Sequence, residues 1–533
     1  VSDGTEEQTE EQTKEAMRHL SVMALTLAFA ISFVYAIPAL HRFAPWKAGE
    51  SYPLESLFTP AQEAYTFSGM GAEEPEPELD PDAHELGPAV AANLGDDQEE
   101  PVGPRVQVNP REYEGIDVQI EDPTGRGMRP FYEALRATAL SEPDAMTRVS
   151  HWGDSSIATD LITHTVRRRL QRRFGDGGHG FVLAGKGYLA YRHRDVQHSS
   201  SDDWMLREVT RNHDSTGYYG LGGVQFRGRP GAWARFETSE DGPIGQQVSR
   251  FRIFYQRHRR GGHIHYQVDG GERHVVETRS SVLEDAVEEI VVPDGPHRLS
   301  VRFGGHGQPR VYGVVLEREA PGVVYDSIGL VGARAARLLY YDEAHVAQQI
   351  AMRGTNLVVL GFGGNEAGDN IAADRYQAEY EQVIQRMRGG REDLGCLVFS
   401  PLDQGERDDR GRVQTMGTIP NIVAAQRAAA FAQGCAFYDT WTAMGGEGAV
   451  ARWLDSRPRL ASSDLRHMTP AGYAVVGNLY YKAMLAGFAR YLSERAASLD
   501  ASSDAPSPEA SSPEAPSDSA SEAASPSAAS PSD

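Results

Sequence analysis

Apolar runs and helical patterns alternate along two stretches of the chain. The first, from about residue 130 to 176, reads "TRVSHWG" and then "LITHTVRRRLQRRF". The second, from about 325 to 495, pairs "TNLVVLGFGG" with "RYQAEYEQVIQRMR", "CLVFSPL" with "NIVAAQRAAAFAQG", and "CAFYDTW" with "PAGYAVVGNLYYKAMLAGFARYLSERA". Short β-branched and aromatic runs followed by patterns of period 3.6 predict strand-helix units and a parallel sheet covered on both faces. Residues 177–320 follow another rhythm. "FRIFYQRH", "GHIHYQVDGG", "ERHVVETR", "HRLSVRFGG" and "RVYGVVLERE" alternate or break at Gly-rich turns, which predicts an all-β, jelly-roll-like sandwich. The expected architecture is therefore a doubly wound, flavodoxin-like α/β domain (residues 106–176 and 321–495) interrupted by a β insert (177–320).

The flanks differ from both. Leu20 to Leu40 carries no charge, and as a helix rising ~1.5 Å per residue it would span a bilayer core of ~30 Å. It reads as an uncleaved membrane anchor behind a short acidic segment (1–19), with a signal peptide cleaved after "VYA" as the competitor. Lys14 and Arg18 before the run are matched by Arg42 and Lys47 after it, so flanking charge does not orient it. Residues 41–105 read as an acidic, Pro-rich linker too polar to build a core, and 496–533 as a disordered Ala/Ser/Pro tail.

The formal charge of −23 over 533 residues excludes the basic footprint of a nucleic-acid partner, although much of the acidity sits in the N-terminal segment and the linker. The two cysteines, Cys396 and Cys435, each open an apolar run and read as small buried hydrophobes rather than a bridge. No metal signature or cofactor motif stands out. The histidines of "YRHRDVQH" and "GGHIHYQ" read as alternating exposed strand positions.

Candidate chemistry gathers at the expected carboxyl ends of strands, where doubly wound sheets bind ligands. Ser155 of "HWGDSSIATD" follows the first strand; Asp and Ser there also make an ordinary helix cap. Asn365 follows "NLVVLGFGG", and Asp464 and His467 share the loop "SSDLRHMTPAGY" before the last helix. A serine needs a base to become a nucleophile, and a base needs an orienting carboxylate.

In chain order, "GDSS" (153–156), "SIGLVGA" (327–333), "GGNEA" (363–367) and "DLRH" (464–467) resemble the four blocks of the SGNH/GDSL hydrolases. The "GNEA" form and the β insert resemble the peptidoglycan O-acetylesterase-like carbohydrate esterases within that family. The resemblance implies Ser155 as nucleophile, Asp464 and His467 as its partners, an oxyanion hole from Ser155, Gly332 and Asn365, and no cofactor. One departure is Val331, where such relatives usually carry Asn; it leaves Gly329 as a substitute for Gly332. Asp439 and Trp441 read as pocket wall. Three functions stay open: an esterase acting on an O-acetylated envelope polysaccharide or peptidoglycan, an O-acetyltransferase using the same serine, and a non-catalytic glycan-binding protein. The expected setting is a membrane-anchored protein with its catalytic domain periplasmic or extracellular.

Overall fold

The computed structural model describes residues 86–94 and 103–503, apart from 189, 190, 241, 243, 370, 390 and 392. The expected anchor at 20–40, the segment before it, most of the 41–105 linker and the tail beyond Ser503 lie outside the described residues. Among the described residues no helix is long and apolar enough to cross a membrane.

Five strands form one parallel sheet and are numbered here along the chain: β1 (Met146–Gly153), β2 (Gly322–Gly329), β3 (Leu357–Gly361), β4 (Gly395–Phe399) and β5 (Ala436–Tyr438). Their spatial order is β2-β1-β3-β4-β5, the flavodoxin-like order in which the strand succession reverses between β1 and β3. Each side chain's neighbour along a strand points to the opposite face. Val358 and Leu360 of β3 therefore join one core with α2 (Glu343–Arg353), α3 (Ala373–Arg388) and α4 (Ile419–Ala432). Leu357 and Val359 join another with α1 (Leu161–Phe174) and α5 (Pro470–Ser503). Both faces are covered, and every residue of β3, β4 and β5 is buried.

Between α1 and β2 the chain builds a two-sheet antiparallel sandwich. The first sheet orders Glu284–Gly295, Val248–Arg257, Arg310–Glu317, Val224–Gly228 and Trp204–Glu208, with Gly178–Leu183 also paired to Arg310–Glu317. The second orders Val196–Ser200, Trp233–Thr238, Arg298–Phe303, His263–Val268 and His274–Glu277. The insert shares its core with the α/β body: Trp152 of β1 packs in one cluster with Tyr219, Leu221 and Tyr312, and its indole N–H donates to the Leu221 carbonyl at 3.1 Å.

Two buried arginines reinforce this joint. Arg353 of α2 donates to Asp326 of β2 at 2.8 and 2.9 Å and to Glu317 of the insert at 2.6 Å. Arg148 of β1 reaches the same Glu317 at 2.9 and 3.0 Å. Arg167 of α1 holds Asp160 at 2.8 Å and the insert's Asp195 at 3.0 Å. Buried charges cost several kcal/mol each unless paired, and here Arg353 and Arg167 each meet two carboxylates.

Four expectations are corrected. Cys396 and Cys435 form a disulfide. Parallel pairing of Leu397 with Ala436 sets the two preceding residues side by side, with Cα atoms 4.8 Å apart, a consequence of sheet order that cysteine spacing cannot show. Residues 86–94 of the supposed linker are folded: Pro88 opens a short helix, Ala89 and Val90 are buried, and the Asn93 amide donates to Ala89 and Gly115 carbonyls at 2.8 Å. The last helix runs through the first residues of the supposed tail to Ser503, because extending an already packed helix through "RAASLDASS" adds one hydrogen bond per residue fixed. His193 is a buried group rather than an exposed strand position, with its ring 2.9 Å from the His179 carbonyl.

The disulfide closes a segment of 39 residues in sequence separation. Replacing both cysteines by serine should cost about 2–4 kcal/mol of unfolding free energy. Urea titration of the double variant beside the oxidised parent measures this, and equal midpoints would contradict it.

Candidate active site

Ser155 begins a single helical turn, Ser155–Ala158, immediately beyond β1. Asp154 caps that turn, its carboxylate accepting the Ser156 N–H at 3.0 Å. The cap and the candidate nucleophile are thus neighbouring residues with separate tasks. Two glycines let the other loops close on this turn. A Cβ at Gly329 would lie 2.0 Å from the Ala158 Cα, and one at Gly364 would lie 2.9 Å from an Asp154 carboxylate oxygen.

The relay is assembled. Ser155 Oγ lies 2.9 Å from His467 Nε2, and His467 Nδ1 lies 2.6 Å from Asp464 Oδ2. The other Asp464 oxygen accepts the backbone N–H groups of Arg466 and His467, both at 3.0 Å. Burial raises the Asp464 carboxyl, but the His467 ring and these two N–H groups outweigh it and hold the group below its ordinary value. It therefore stays ionised and fixes the proton on Nδ1, leaving Nε2 to accept from the serine. Between them Leu465 sits at φ +59°, a left-handed conformation costing a non-glycine residue about 1–2 kcal/mol. The Leu465 carbonyl accepts from Gly405 at 2.8 Å and its N–H donates to Ser462 at 3.1 Å, so the surrounding loop enforces the turn.

Three candidate donors lie on the turn of Ser155 itself and on the two loops that close against it. The Ser155 N–H is the first of its helix and has no partner within it. Gly332 occupies a tight turn closed by the Ala333 N–H on the Leu330 carbonyl at 3.0 Å, with φ +70°; that conformation requires glycine at the third turn position. Val331 fills the second position, which accepts most residues, so the departure from Asn leaves the turn intact. Gly329 is occupied instead by close packing on Ala158. The Asn365 side chain makes no cap bond; its amide donates to the Ala333 carbonyl at 2.9 Å, keeping its second N–H in reserve.

Sequence reasoning missed what ties the second and third loops together. Ala335 N–H donates to Glu366 at 2.8 Å, and Arg334 forms a two-pronged ion pair with Asp369. Glu366 lay within the "GGNEA" block, but only burial reveals its character: it is 3% exposed, with its second oxygen enclosed and unpartnered. Burial pushes its carboxyl up to about 7, against the pull of the Ala335 N–H and with a further push from Asp154. The two supposed wall residues have structural duties. Asp439 caps Thr440–Ala443 and pairs with Arg427 at 2.5 Å, and the Trp441 indole donates to buried Asp403 at 3.1 Å.

Residues 294–475 match the GDSL-like lipase/acylhydrolase family. The chain carries a GDSL-like acylhydrolase domain. The match omits Ser155, which the insert separates from the remaining blocks. The domain belongs to the carboxylic-ester hydrolase class. No curated protein matches the chain. Among solved structures it is similar to a peptidoglycan O-acetylesterase in action, at 20% identity and TM-score 0.56, over 67% of this chain and 95% of the other; that likeness is one of fold. It is also similar to a family two carbohydrate esterase from Cellvibrio japonicus, at 10% identity and TM-score 0.22 over 56% and 99% of the two chains. A carbohydrate esterase family 2 enzyme with a carbohydrate binding domain from Corynascus thermopiles (Myceliophthora fergusii) follows, at 11% identity and TM-score 0.24 over 53% and 99%.

The acylhydrolase domain carries its own pH signature. With Glu366 at about 7 in the fold and an ordinary value of 4.5, the folded state binds the proton more tightly than the unfolded chain. Stability from neutral Glu366 is complete below pH 4.5 and is lost as pH rises through 7. Glu366→Gln should flatten that decline, read as unfolding midpoints in urea at pH 5 and pH 8; an unchanged pH dependence would refute it.

Proposed function

We propose that the protein is a serine esterase that removes O-acetyl groups from a cell-envelope glycan, peptidoglycan being the favoured polymer, through an acyl-enzyme on Ser155. The observation that carries this reading is the continuous Ser155–His467–Asp464 hydrogen-bond relay at the switch point of an acylhydrolase fold. Ser155 Oγ attacks the acetyl carbonyl as its proton passes to His467 Nε2. The negative oxygen of the tetrahedral intermediate is received by the Ser155 and Gly332 N–H groups and the free Asn365 amide N–H. His467 returns the proton to the departing sugar oxygen, leaving acetyl-Ser155. Water, deprotonated by His467, then attacks the acetyl carbonyl; the Ser155 Oγ–acyl bond breaks, acetate leaves, and His467 returns the proton to Ser155 Oγ.

Partial exposure of the relay favours water over a sugar hydroxyl as acceptor, since the His467 and Asp464 side chains are 26% and 36% exposed. The complete relay speaks against a purely binding protein. The Cys396–Cys435 disulfide supports an oxidising setting outside the cytoplasm. With it goes the proposal that the apolar segment at 20–40 anchors the chain, and that the sandwich orients the polymer.

Ser155→Ala should abolish acetate release from a small acetyl ester and from O-acetylated peptidoglycan while leaving thermal unfolding intact; retained turnover would end the assignment. Asn365→Ala should lower kcat by on the order of 10²–10³ with little change in KM, whereas a purely structural Asn365 would shift only the unfolding temperature.

A further inference from the structure

The second sheet of the sandwich uses one face for its core. On Trp233–Thr238, Ala234 and Phe236 are buried whereas Trp233, Arg235 and Glu237 alternate with them. On Arg298–Phe303, Leu299, Val301 and Phe303 are buried whereas Arg298, Ser300 and Arg302 are not. On His263–Val268, Ile264 and Tyr266 are buried and His263, His265 and Gln267 take the other side. Register places Arg302 between Trp233 and His265, and Ser300 between Arg235 and Gln267.

A groove of about 430 Å³ runs over these strands, and its lining includes Trp233, Arg235, His265, Arg273, Arg298 and Arg302. None of its described lining residues is a carboxylate. Four acids around it are engaged: Glu237 lies 3.9 Å from Arg235, Asp269 accepts the Arg298 backbone N–H and pairs with His297, Glu277 pairs with His263, and Glu288 accepts from the Tyr266 hydroxyl at 3.2 Å, while Glu272 is the chain neighbour of Arg273. Among the described residues, Arg273, Arg298 and Arg302 have no salt-bridge partner within 4.0 Å. Nδ1 of His265 is enclosed without a partner. On a chain of net charge −23, four arginines around one groove reverse the prevailing sign, and such a field draws anions.

The residue types narrow the anion. Guanidinium forks meet carboxylates in paired, planar contacts that a point charge does not make. Trp233, with the Arg235 guanidinium 5.7 Å from its ring centre, adds an apolar plane of the size of a sugar ring. We propose that this groove binds a polysaccharide segment whose sugars bear carboxylates. The proposal deepens the glycan-esterase reading by naming the charge of the polymer and the surface that holds it, and rests on that reading only in linking retention to turnover.

Affinity electrophoresis of the full chain tests it, in gels cast with polygalacturonate, neutral dextran or dextran sulfate. Polygalacturonate should retard the protein and dextran should not. Arg298→Gln with Arg302→Gln should weaken retention by about tenfold or more, and Trp233→Ala should weaken it on polygalacturonate but not on dextran sulfate. Turnover of a small acetyl ester should stay at the parent level in each variant, which also shows that they fold. Absence of retardation by polygalacturonate, or retention unaltered in the double arginine variant, would overturn the proposal. Equal dependence of both anionic polymers on the arginines with none on Trp233 would reduce the groove to a general cation surface and overturn it as well. Failure of the parent to cleave small esters would instead sink the esterase reading while leaving the retention result standing.

Discussion

The joint between the α/β body and the sandwich depends on burying two guanidinium groups without leaving any charge alone. Arg353 and Arg167 are both 0% exposed, and each bonds one carboxylate of the body and one of the insert. Removing a single partner from such a group strands a buried charge, at a cost of about 3–5 kcal/mol. The arrangement is directional where hydrophobic burial is not. It fixes how β1, β2 and the insert's strand Arg310–Glu317 meet, and so fixes the starting point of the turn that presents Ser155. The insert is accordingly part of the platform for the site.

Above that platform the site is closed by short contacts between loops. Block two meets block three through Asn365 on the Ala333 carbonyl, Glu366 on the Ala335 N–H and Asp369 on Arg334. Block one meets both through glycines that leave no room for a side chain. The donors proposed for the oxyanion are held by partners that take no part in bond making. Such support is what positions donors before charge develops, when the largest electrostatic benefit is available.

The alternation of "NLVVL" and "CLVFSPL" with amphipathic helices made the parallel sheet legible, because strands buried on both faces read as unbroken apolar runs. That Ser155, His467 and Asp464 come together was legible because strand ends are where such a sheet exposes chemistry. The disulfide was hidden by its dependence on which strands become neighbours. Residues 86–94 ("LGPAVAANL") are uncharged but short and stand between acidic runs, so they read as part of the linker around them. Glu366 and Asp403 carry no sequence signal that sets them apart; their enclosure by distant segments does. Asp439 and Trp441 sat near the right strand end, yet Asp439 caps its own turn and pairs with Arg427, and Trp441 ties that turn to Asp403.

The relay joins residues 312 positions apart, and the whole sandwich lies between them. During synthesis, the serine emerges long before the imidazole proposed to take its proton. The proposed nucleophile would therefore keep the ordinary reactivity of a free hydroxyl until the loop carrying His467 has been made and docked. Under the proposed mechanism reactivity would be acquired in a single late step, and a truncated product ending before residue 464 would be inert toward the esters around it.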